Sequence, residues 1–434
     1  MSDVFRDRRA RVLDMLGAGH ALVLAAAPEL RAGTDGEIRY LPDADLYYLT
    51  GYTEPEAVLV LCAAAEQPYT LFVRPRDADR ERWTGARGGV EAGRTEYGAD
   101  AAHAIEELGG KLPALVGGAT TLYTSLDQGR PDVDAAVRQM LASARRTRPR
   151  TGMGPHTVID PRVLLAPMRL RKDADEVQRM RAAADITVAS FSAVAATVRD
   201  AEGEWQVEAT LEHAFRTRGA TGPAFPSIVA GGVNATVLHY TANTAPLQRD
   251  ALVLLDGGAR HRMYCADVTR TLPVGGRFVG VQRAVYDIVL AAHAAALRAI
   301  APGAPVSALH DAAIGALVDG MRQLGLLRGS TDEIMEQKQY RRYYPHQTSH
   351  WIGLDVHDVG DYVHGTGEPV LLEPGMTLTV EPGLYVPVAD EEAPASLRGL
   401  GLRLEDDVLV TDLGSEVLTR GLPIRPDDVE TMMA

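Results

Sequence analysis

Two aspartates in the second half of the sequence lie where strands are predicted. Asp256 directly follows the apolar run Ala251–Leu255, and a carboxylate at the end of a buried strand is costly unless a partner compensates its charge. Asp267 lies inside a second strand pattern, Tyr264–Leu272. Two acids on facing strands of one hairpin repel each other unless a cation separates them. The pair therefore favours a cation site, although a turn with the two glycines that follow would also explain Asp256 alone.

A group of histidines forms the second candidate feature. His346, His350 and His357 fall within a short, strand-like apolar segment of a chain that contains 12 histidines in all. A single histidine is more often a core or surface residue than a ligand. Imidazole is nevertheless the commonest side-chain metal ligand and a frequent acid or base. Three histidines in one segment therefore favour a functional interpretation.

Two glutamates near the C-terminus complete the set. In the strand pattern 376–381, alternation directs Glu381 away from the apolar face, and the Pro-Gly that follows ends the strand. In the strand pattern 401–411, the same alternation places Arg403 and Glu405 on one face. Arg403 is therefore expected to support the charge of Glu405. A half-exposed strand with solvated acids is the alternative interpretation of both patterns.

These carboxylates and the imidazole together form an oxygen-rich ligand set. Such a set suits hard or borderline divalent ions, Mn²⁺ first, with Co²⁺ or Zn²⁺ also compatible. Four carboxylates allow two of them to bridge a metal pair and two to cap it. Paired metal ions hold a bridging hydroxide that serves as a nucleophile at neutral pH. The sequence therefore predicts a hydrolytic dinuclear site.

The elements that must position this site indicate an α+β domain rather than a doubly wound parallel sheet. Apolar residues at spacings of three and four predict helices at 173–198, 205–218, 280–300 and 306–324. Strand patterns lie at 227–240, 251–256, 262–272, 376–381 and 401–411. The pattern changes near residue 168, so we expect a smaller N-terminal domain at 1–168 and a catalytic domain at 169–434.

The N-terminal domain is expected to be mixed α/β. Ala21–Ala25, Ala57–Cys62 and Tyr69–Val73 are apolar runs bounded by polar or turn residues, which is typical of buried strands. Arg74–Gly98 is rich in charge and glycine and is predicted to be a loop. Arg145–Pro155 is basic and interrupted by proline and glycine, and is also predicted to be a surface loop.

Composition excludes several classes of protein. The chain has 434 residues and a formal net charge of −14, which disfavours binding to nucleic acid. Its 2 cysteines exclude a disulfide framework and a cysteine-based zinc site. No apolar stretch approaches the roughly 20 residues that a membrane span needs, and Ala21–Ala27 resembles a strand more than a signal peptide. We therefore expect a cytoplasmic protein without membrane contacts.

The motifs resemble those of the pita-bread metallopeptidases, and within that superfamily those of the aminopeptidase P (Xaa-Pro aminopeptidase) family. The resembling motifs are Leu-Leu-Asp256-Gly-Gly, Asp267-Val-Thr-Arg-Thr, Ser-His350-Trp-Ile-Gly-Leu-Asp-Val-His357-Asp, Val-Glu381-Pro-Gly-Leu-Tyr385 and Arg403-Leu-Glu405-Asp-Asp. The segment that begins Asp45-Leu-Tyr-Tyr-Leu-Thr-Gly and the linker Met168-Arg-Leu-Arg-Lys extend the resemblance over nearly the whole chain. The resemblance implies a C-terminal pita-bread (creatinase/aminopeptidase-like) catalytic domain.

The resemblance also implies a role for each matching position in the metal site. Asp256 would hold one metal ion, and Asp267 and Glu405 would bridge both ions. His350 and Glu381 would complete the coordination of the other ion. All five ligand positions match the family pattern.

Further matching positions imply contacts with the substrate. His239 and His357 would meet the substrate near the scissile bond, and His346 would line its pocket. Tyr385 and Arg403 match residues that support the site from outside the ligand set.

One matching position lies in the N-terminal domain, and it concerns oligomerisation. Trp83 matches a residue that borders the active site of a neighbouring subunit, and a surface-loop aromatic is the alternative interpretation. The family resemblance implies a homodimer or homotetramer.

The implied reaction is hydrolysis of the first peptide bond of peptides that have proline at position two. Glu381 would take or relay the proton of the nucleophile, and His239 and His357 would steady the developing oxyanion. A prolidase that cleaves Xaa-Pro dipeptides remains an alternative, with Arg398 or another arginine binding the free carboxylate. A non-catalytic peptide-binding module on the same fold is a more distant alternative.

Overall fold

The computed structural model of the protein describes residues 3–34, 36–126 and 129–434. The chain divides into two compact units, Met1–Met168 and Arg169–Ala434. Both units combine helices with strands. No helix of the described residues is both long enough and apolar enough to cross a membrane.

The first unit is built on a mixed sheet. Its strands are β1 (His20–Ala25), β2 (Arg31–Ala32), β3 (Gly36–Glu37), β4 (Val58–Cys62), β5 (Tyr69–Val73), β6 (Ala101–Ala104), β7 (Thr121–Tyr123) and β8 (Thr157–Ile159). Its helices are α1 (Asp3–Leu16), α2 (Ala44–Thr50), α3 (Ala78–Thr84), α4 (Gly89–Thr95), α5 (Leu108–Val116), α6 (Pro131–Thr151) and α7 (Arg162–Leu170), the last of which continues into the second unit. Among the described strands, the main sheet has the order β6-β5-β4-β1-β7-β8, with parallel and antiparallel pairs. The three strands predicted from the sequence in this domain are present.

Two loops predicted in the first unit are in fact helical. Arg74–Gly98 contains α3 and α4; Asp77 caps α3 by accepting the backbone N–H groups of Asp79 and Arg80. Because α3 buries no residue, it has no apolar stripe that the sequence would reveal. The part from Arg145 to Thr151 belongs to helix α6, which ends at Gly152 in the left-handed conformation, so only 152–155 form the predicted loop.

The second unit combines long helices with several short antiparallel sheets. Its helices are α8 (Ala174–Ala195), α9 (Glu204–Thr217), α10 (Val281–Ala299), α11 (Ser307–Gln323), α12 (Thr331–Glu336) and α13 (Pro426–Met432). Its strands are β9 (Gly222–Pro223), β10 (Ile228–Gly231), β11 (Leu252–Gly257), β12 (Ala259–His261), β13 (Tyr264–Cys265), β14 (Val268–Pro273), β15 (Thr377–Val380), β16 (Gly383–Tyr385), β17 (Gly401–Arg403), β18 (Asp406–Thr411) and β19 (Gly414–Val417). Short 3-10 helices occupy Ile105–Glu107 in the first unit and Val198–Asp200, Gly232–Thr236, Gln339–Arg342 and Ala395–Leu397 in the second. The long helices predicted from apolar spacing are present, with ends shifted by a few residues.

Three strand predictions in the second unit are too long. The pattern at 227–240 forms a strand only at β10, and 262–272 is interrupted at Asp267 because its backbone N–H donates to the Asp407 carboxylate, 3.1 Å away. The pattern at 401–411 is interrupted at Glu405, which makes an isolated bridge with Thr269. Asp267 and Glu405 therefore lie where the strands break, so regular strand pairing does not fix the direction of their side chains.

The histidine segment is also not a strand. Residues 346–358 follow an irregular path in which Trp351 makes a single bridge to Leu378 of β15. The ring of Trp351 is fully buried and stacks on Tyr362, with ring centroids 5.3 Å apart. This anchoring holds the histidines on either side of Trp351 in place without strand pairing.

Candidate metal centre and substrate cavity

The second unit contains a cavity of ≈ 1270 Å³. It is bounded by loops and strand ends of the small sheets and by the first turn of α11. All of the ligands expected from the sequence line it, namely Asp256, Asp267, His350, Glu381 and Glu405. The structure therefore brings together side chains that are up to 149 residues apart in the sequence.

The carboxylates reach the cavity from the ends and interruptions of strands. Asp256 lies near the end of β11, opposite Thr269 of β14. Asp267 directly precedes β14, and Glu405 lies between β17 and β18 with its backbone N–H bonded to the Thr269 carbonyl, 3.0 Å away. Glu381 directly follows β15, whose residues are all buried. The acids are therefore not on half-exposed strands, and the solvated alternative is wrong.

His350 is held by β15 so that one ring nitrogen is directed at the acids. Its backbone N–H donates to Thr379 Oγ1 at 3.1 Å, and its Nδ1–H donates to the Trp351 carbonyl at 3.1 Å. That contact fixes the tautomer and leaves Nε2 available to a metal ion. Nε2 lies 3.4 Å from Asp267 Oδ2, 3.7 Å from Glu381 Oε1 and 3.9 Å from Glu405 Oε1.

This arrangement fits a metal ion. One ligand atom each of Asp267, His350 and Glu405 lies within 4.8 Å of the other two. Asp256 Oδ1 and Asp267 Oδ1 are buried, and neither has a hydrogen-bond partner among the described residues. Buried carboxylate oxygens normally find a partner, so the donor set has the coordination capacity that a divalent cation requires.

The electrostatics of the cluster point the same way. Burial, followed by the charges of Asp267 and Glu381, raises the pKa of Glu405 well above its ordinary value. Burial, followed by the charge of Asp256, likewise raises the pKa of Asp267, and burial raises that of Glu381 against the effect of His350. Carboxylates that repel one another in a buried site gain most from a multivalent cation.

Arg403 contacts a different ligand from the one expected. Its guanidinium donates to Asp256 Oδ2, to the Tyr385 hydroxyl at 3.0 Å and to Thr269 Oγ1 at 3.2 Å. No direct hydrogen bond to Glu405 is found among the described residues, but the charge of Arg403 acts to lower the pKa of Glu405, which agrees with the expected charge support. Strand alternation predicted the face correctly, but the arginine side chain reaches across to the neighbouring sheet.

A chain of hydrogen bonds connects Arg403 to His346 through Tyr385. Arginine only donates, so Tyr385 accepts from Arg403 and donates to His346 Nε2 at 2.9 Å. His346 Nδ1 then donates to the Gln347 carbonyl at 2.7 Å and lies 3.5 Å from Glu381 Oε2. Burial, aided by Arg403, lowers the pKa of His346 to about 3, which keeps its ring neutral. Both ring nitrogens are engaged, so His346 offers the cavity mainly an apolar ring face.

The remaining expected residues differ in their position. His239 and His357 line the cavity, and the His357 ring lies 4.4 Å from the His350 ring. Burial and then His350 lower the pKa of His357. Tyr385 is buried behind the cavity wall rather than in it. Trp83 belongs to α3 of the first unit and is 89% exposed.

Two family models match the chain. Metallopeptidase family M24 matches residues 178–412, and the aminopeptidase P N-terminal domain matches residues 5–123. The first match covers more than half of the chain and contains the whole candidate ligand set. The chain belongs to metallopeptidase family M24.

Individual relatives extend this M24 match over the whole chain. The Xaa-Pro aminopeptidase of Escherichia coli K12 is 37% identical, over 99% of this chain and 97% of that protein. Human Xaa-Pro aminopeptidase 3 is 32% identical over 95% of this chain and 81% of its own length. The structure of aminopeptidase PepP from Pseudomonas aeruginosa superposes with a TM-score of 0.94 at 39% identity, covering 99% of this chain and 97% of that one. The resemblance to Xaa-Pro aminopeptidase, the two-domain pita-bread fold and the metallopeptidase class are confirmed.

Two residues in or next to the candidate metal centre and cavity were not identified from the sequence. His310, on the first turn of α11, lines the cavity with its Nδ1 2.9 Å from Thr348 Oγ1. Asp407 lies behind Asp267, and burial raises the pKa of Asp407 to about 8. The run Glu-Asp-Asp at 405–407 carried a signal for Asp407, because three consecutive acids in a buried strand need compensation. His310 is a single histidine on an amphipathic helix, and no pattern marks it.

Proposed function

We propose that this protein hydrolyses the first peptide bond of peptides with proline at position two. The observation that carries the proposal is the convergence of the five ligands in one cavity of an M24 chain that aligns with Xaa-Pro aminopeptidases over nearly its full length. Residues 169–434 form the catalytic domain in this proposal, and residues 1–168 form the aminopeptidase-P-type N-terminal domain.

The proposed cofactor is a pair of divalent ions, Mn²⁺ first. Asp256 would hold one ion, Asp267 and Glu405 would bridge both, and His350 and Glu381 would complete the other. When bound, such ions would activate water as the nucleophile and would polarise the scissile carbonyl. The retention of all these ligands argues against a non-catalytic binding module.

The side chains around the ligands are suited to the rest of the reaction. Glu381 lines the cavity with the other acids, and this carboxylate is proposed to take and return the nucleophile's proton. A lowered pKa keeps His357 neutral, and we propose that His357 and His239 donate N–H groups to the developing oxyanion. The acidic surroundings favour the cationic α-amine of the substrate.

Proline at position two explains why such an enzyme is needed. An Xaa-Pro bond has no N–H, so a peptidase that binds this hydrogen cannot use it as a substrate. The cavity in this protein presents apolar surface beside the ligands, including Phe225, Leu238 and the face of His346. We propose that this surface receives the pyrrolidine ring.

The arrangement of cations favours peptides over dipeptides. A prolidase must bind the free carboxylate of its substrate, and Arg403 is the only lysine or arginine among the described residues that line the cavity. Its guanidinium is already bonded to Asp256, Tyr385 and Thr269. Arg398 does not line the cavity, and it donates instead to the carbonyls of Ala393 and Glu391.

The oligomeric state is part of the same proposal. An indole that is 89% exposed is costly in water and suited to an interface. We propose a homodimer or homotetramer in which Trp83 borders the cavity of a neighbouring subunit. Sedimentation of the wild type and of Trp83→Ala, with activity measured on the same samples, tests this.

A peptide panel tests the function directly. Xaa-Pro-Xaa, Xaa-Ala-Xaa and Xaa-Pro substrates are incubated with the purified chain, with and without Mn²⁺, and the released first residue is quantified. We expect cleavage of Xaa-Pro-Xaa above the other two, stimulated by Mn²⁺ and abolished by a chelator. Full activity after chelation would contradict the metal proposal, and faster cleavage of Xaa-Pro would favour the prolidase.

A further inference from the structure

His310 lies on the cavity wall but outside the ligand set. It belongs to the first turn of α11 and lines the cavity together with Val306 and Ser307 of the same turn. Its Nδ1 lies 2.9 Å from Thr348 Oγ1. No partner for its Nε2 is found among the described residues. Nε2 is therefore the ring nitrogen that remains available to a ligand.

The hydrogen-bond partners of Thr348 determine which nitrogen of His310 carries the proton. The Tyr344 hydroxyl is buried, lies 2.7 Å from Thr348 Oγ1 and has no other acceptor among the described residues. A buried O–H without an acceptor is costly, so Tyr344 donates to Thr348. A hydroxyl carries one proton, and Thr348 donates that proton to His310 Nδ1. The imidazole then carries its own hydrogen on Nε2.

The ring of His310 is also uncharged at neutral pH. Burial lowers the pKa of His310, with Asp311 opposing this effect and Arg341 adding to it. A neutral imidazole with Nδ1 accepting from Thr348 has a single donor, at Nε2. This donor is suited to the carbonyl oxygen of a peptide.

The position of His310 indicates which part of a peptide it meets. The His310 ring lies 5.9 Å from the Tyr344 ring, which lies 4.7 Å from the His346 ring. His346 Nδ1 in turn lies 3.5 Å from Glu381 Oε2, so a row of neighbouring rings runs from the ligand set to His310. An aminopeptidase substrate has a single residue before the scissile bond, and its main chain ends within about 3.3–3.6 Å, the length of one residue. The rest of the substrate's main chain lies after the scissile bond, so the acceptor for His310 is sought there.

We propose that the His310 Nε2–H donates a hydrogen bond to the main-chain carbonyl of the residue that follows proline. This inference rests on the proposed function and deepens it, because it makes His310 a residue that selects for substrate length. A dipeptide has no such residue and cannot form the contact. Together with the engaged Arg403, the contact favours tripeptides and longer substrates.

Two substitutions separate the cavity donor from the contact with Thr348. His310→Asn places a side-chain atom near the position of Nδ1 and removes the donor at Nε2. His310→Gln places an amide nitrogen near the position of Nε2 and retains a donor to the cavity. The substrates are Ala-Pro-Ala-amide and Ala-Pro-ethylamide, which differ only in the carboxamide group that carries the carbonyl of the third residue. The full-length enzyme is assayed with Mn²⁺.

The wild type is expected to show a kcat/KM roughly 2- to 12-fold higher for the substrate with the third carbonyl, the range of one neutral hydrogen bond. His310→Asn should bring this ratio close to one, with the loss appearing in KM for Ala-Pro-Ala-amide. His310→Gln should retain most of the ratio.

The outcomes distinguish this inference from the proposed function. Three outcomes would overturn the role of His310 but not the proposed function. They are a wild-type ratio of kcat/KM near one, an unchanged ratio in His310→Asn, and an equal loss of kcat/KM on both substrates in that variant. Failure of the wild type to cleave either substrate would overturn the proposed function and this inference with it.

Discussion

Glu405 and Asp406 are consecutive and both buried, yet their surroundings are opposite. Burial raises the pKa of Glu405 well above its usual range, and the neighbouring acids of the cavity raise it further. Burial also acts to raise the pKa of Asp406, but Arg270 and His293 outweigh it and lower the pKa to about 2. Arg270 Nη2 lies 2.8 Å from Asp406 Oδ1, and His293 Nε2 lies 3.1 Å from Oδ2.

This contrast separates a structural side of the strand, where Asp406 lies, from a functional side, where Glu405 lines the cavity. On the Asp406 face, the protein supplies its own countercharge, which is what a buried carboxylate needs for stability. On the cavity face, several acids share the one guanidinium of Arg403, so most of the charge is left for a ligand to neutralise. Arg270 connects the two faces, because it also donates to the Glu405 carbonyl at 2.7 Å and so orients that residue.

The largest effect is expected from Glu405→Gln. Loss of the carboxylate that we propose to bridge the metal ions should reduce kcat/KM by more than the roughly 100-fold that removal of an outer partner causes. The same substitution removes like-charge repulsion, so the chelated variant should melt at a higher temperature than the chelated wild type. Calorimetry with chelator and a peptide assay with Mn²⁺ measure the two effects. A lower melting temperature for the chelated variant would contradict the assignment of Glu405 to the uncompensated face.

Asp406→Asn should lower the stability of the protein, whereas Glu405→Gln is expected to raise it in the presence of chelator. It leaves Arg270 and His293 buried without their carboxylate, which typically costs about 3–5 kcal/mol. A lower midpoint in urea, with or without metal, is the expected measurement. Asp287→Asn is a matched control, because Asp287 pairs with Arg283 on the surface and such pairs contribute about 0–1 kcal/mol. Equal urea midpoints for Asp406→Asn and Asp287→Asn would show that the ion pairs of Asp406 do not stabilise the protein, and the contrast with Glu405 would be lost.

Tyr385→Phe should have an intermediate effect on activity. It breaks the path from Arg403 to His346 while leaving the ligands in place, and loss of such an outer partner typically reduces activity about 10- to 100-fold. Metal content per chain should be unchanged, and the pH profile of kcat should shift as His346 loses its donor. An activity equal to that of the wild type would show that this chain of hydrogen bonds has no role in the reaction.

The smallest effect is expected in the pH dependence of stability. Burial acts to raise the pKa of Asp358, but Lys172 and Arg169 lower it below its ordinary value. A lowered folded-state pKa stabilises the protein above the unfolded value of about 3.9, and this stability is lost as the pH falls below it. Asp358→Asn should therefore flatten the acid limb of melting temperature against pH. If the melting temperature of the variant falls with decreasing pH as steeply as that of the wild type, groups other than Asp358 cause the acid sensitivity.

The sequence predicted more about the ligands than about their partners. The five ligands were found because acids inside apolar strands and clustered histidines are unusual on physical grounds. The helices α10 and α11 were found because their apolar stripes pack in the core. The contact of Arg403 with Asp256 joins residues 147 positions apart, and no local pattern predicts such a pair. Helix α3 was missed because it buries nothing, and His310 because a single histidine carries no signal.

Metal content tests the central claim most directly. Elemental analysis would be performed on the wild type, on Asp267→Ala and on His213→Ala, an exposed control histidine on α9, after equilibration with Mn²⁺ and removal of free metal. We expect two manganese ions per chain in the wild type and in the control, and at most one in Asp267→Ala. Two ions retained by Asp267→Ala would contradict the dinuclear site at this cavity.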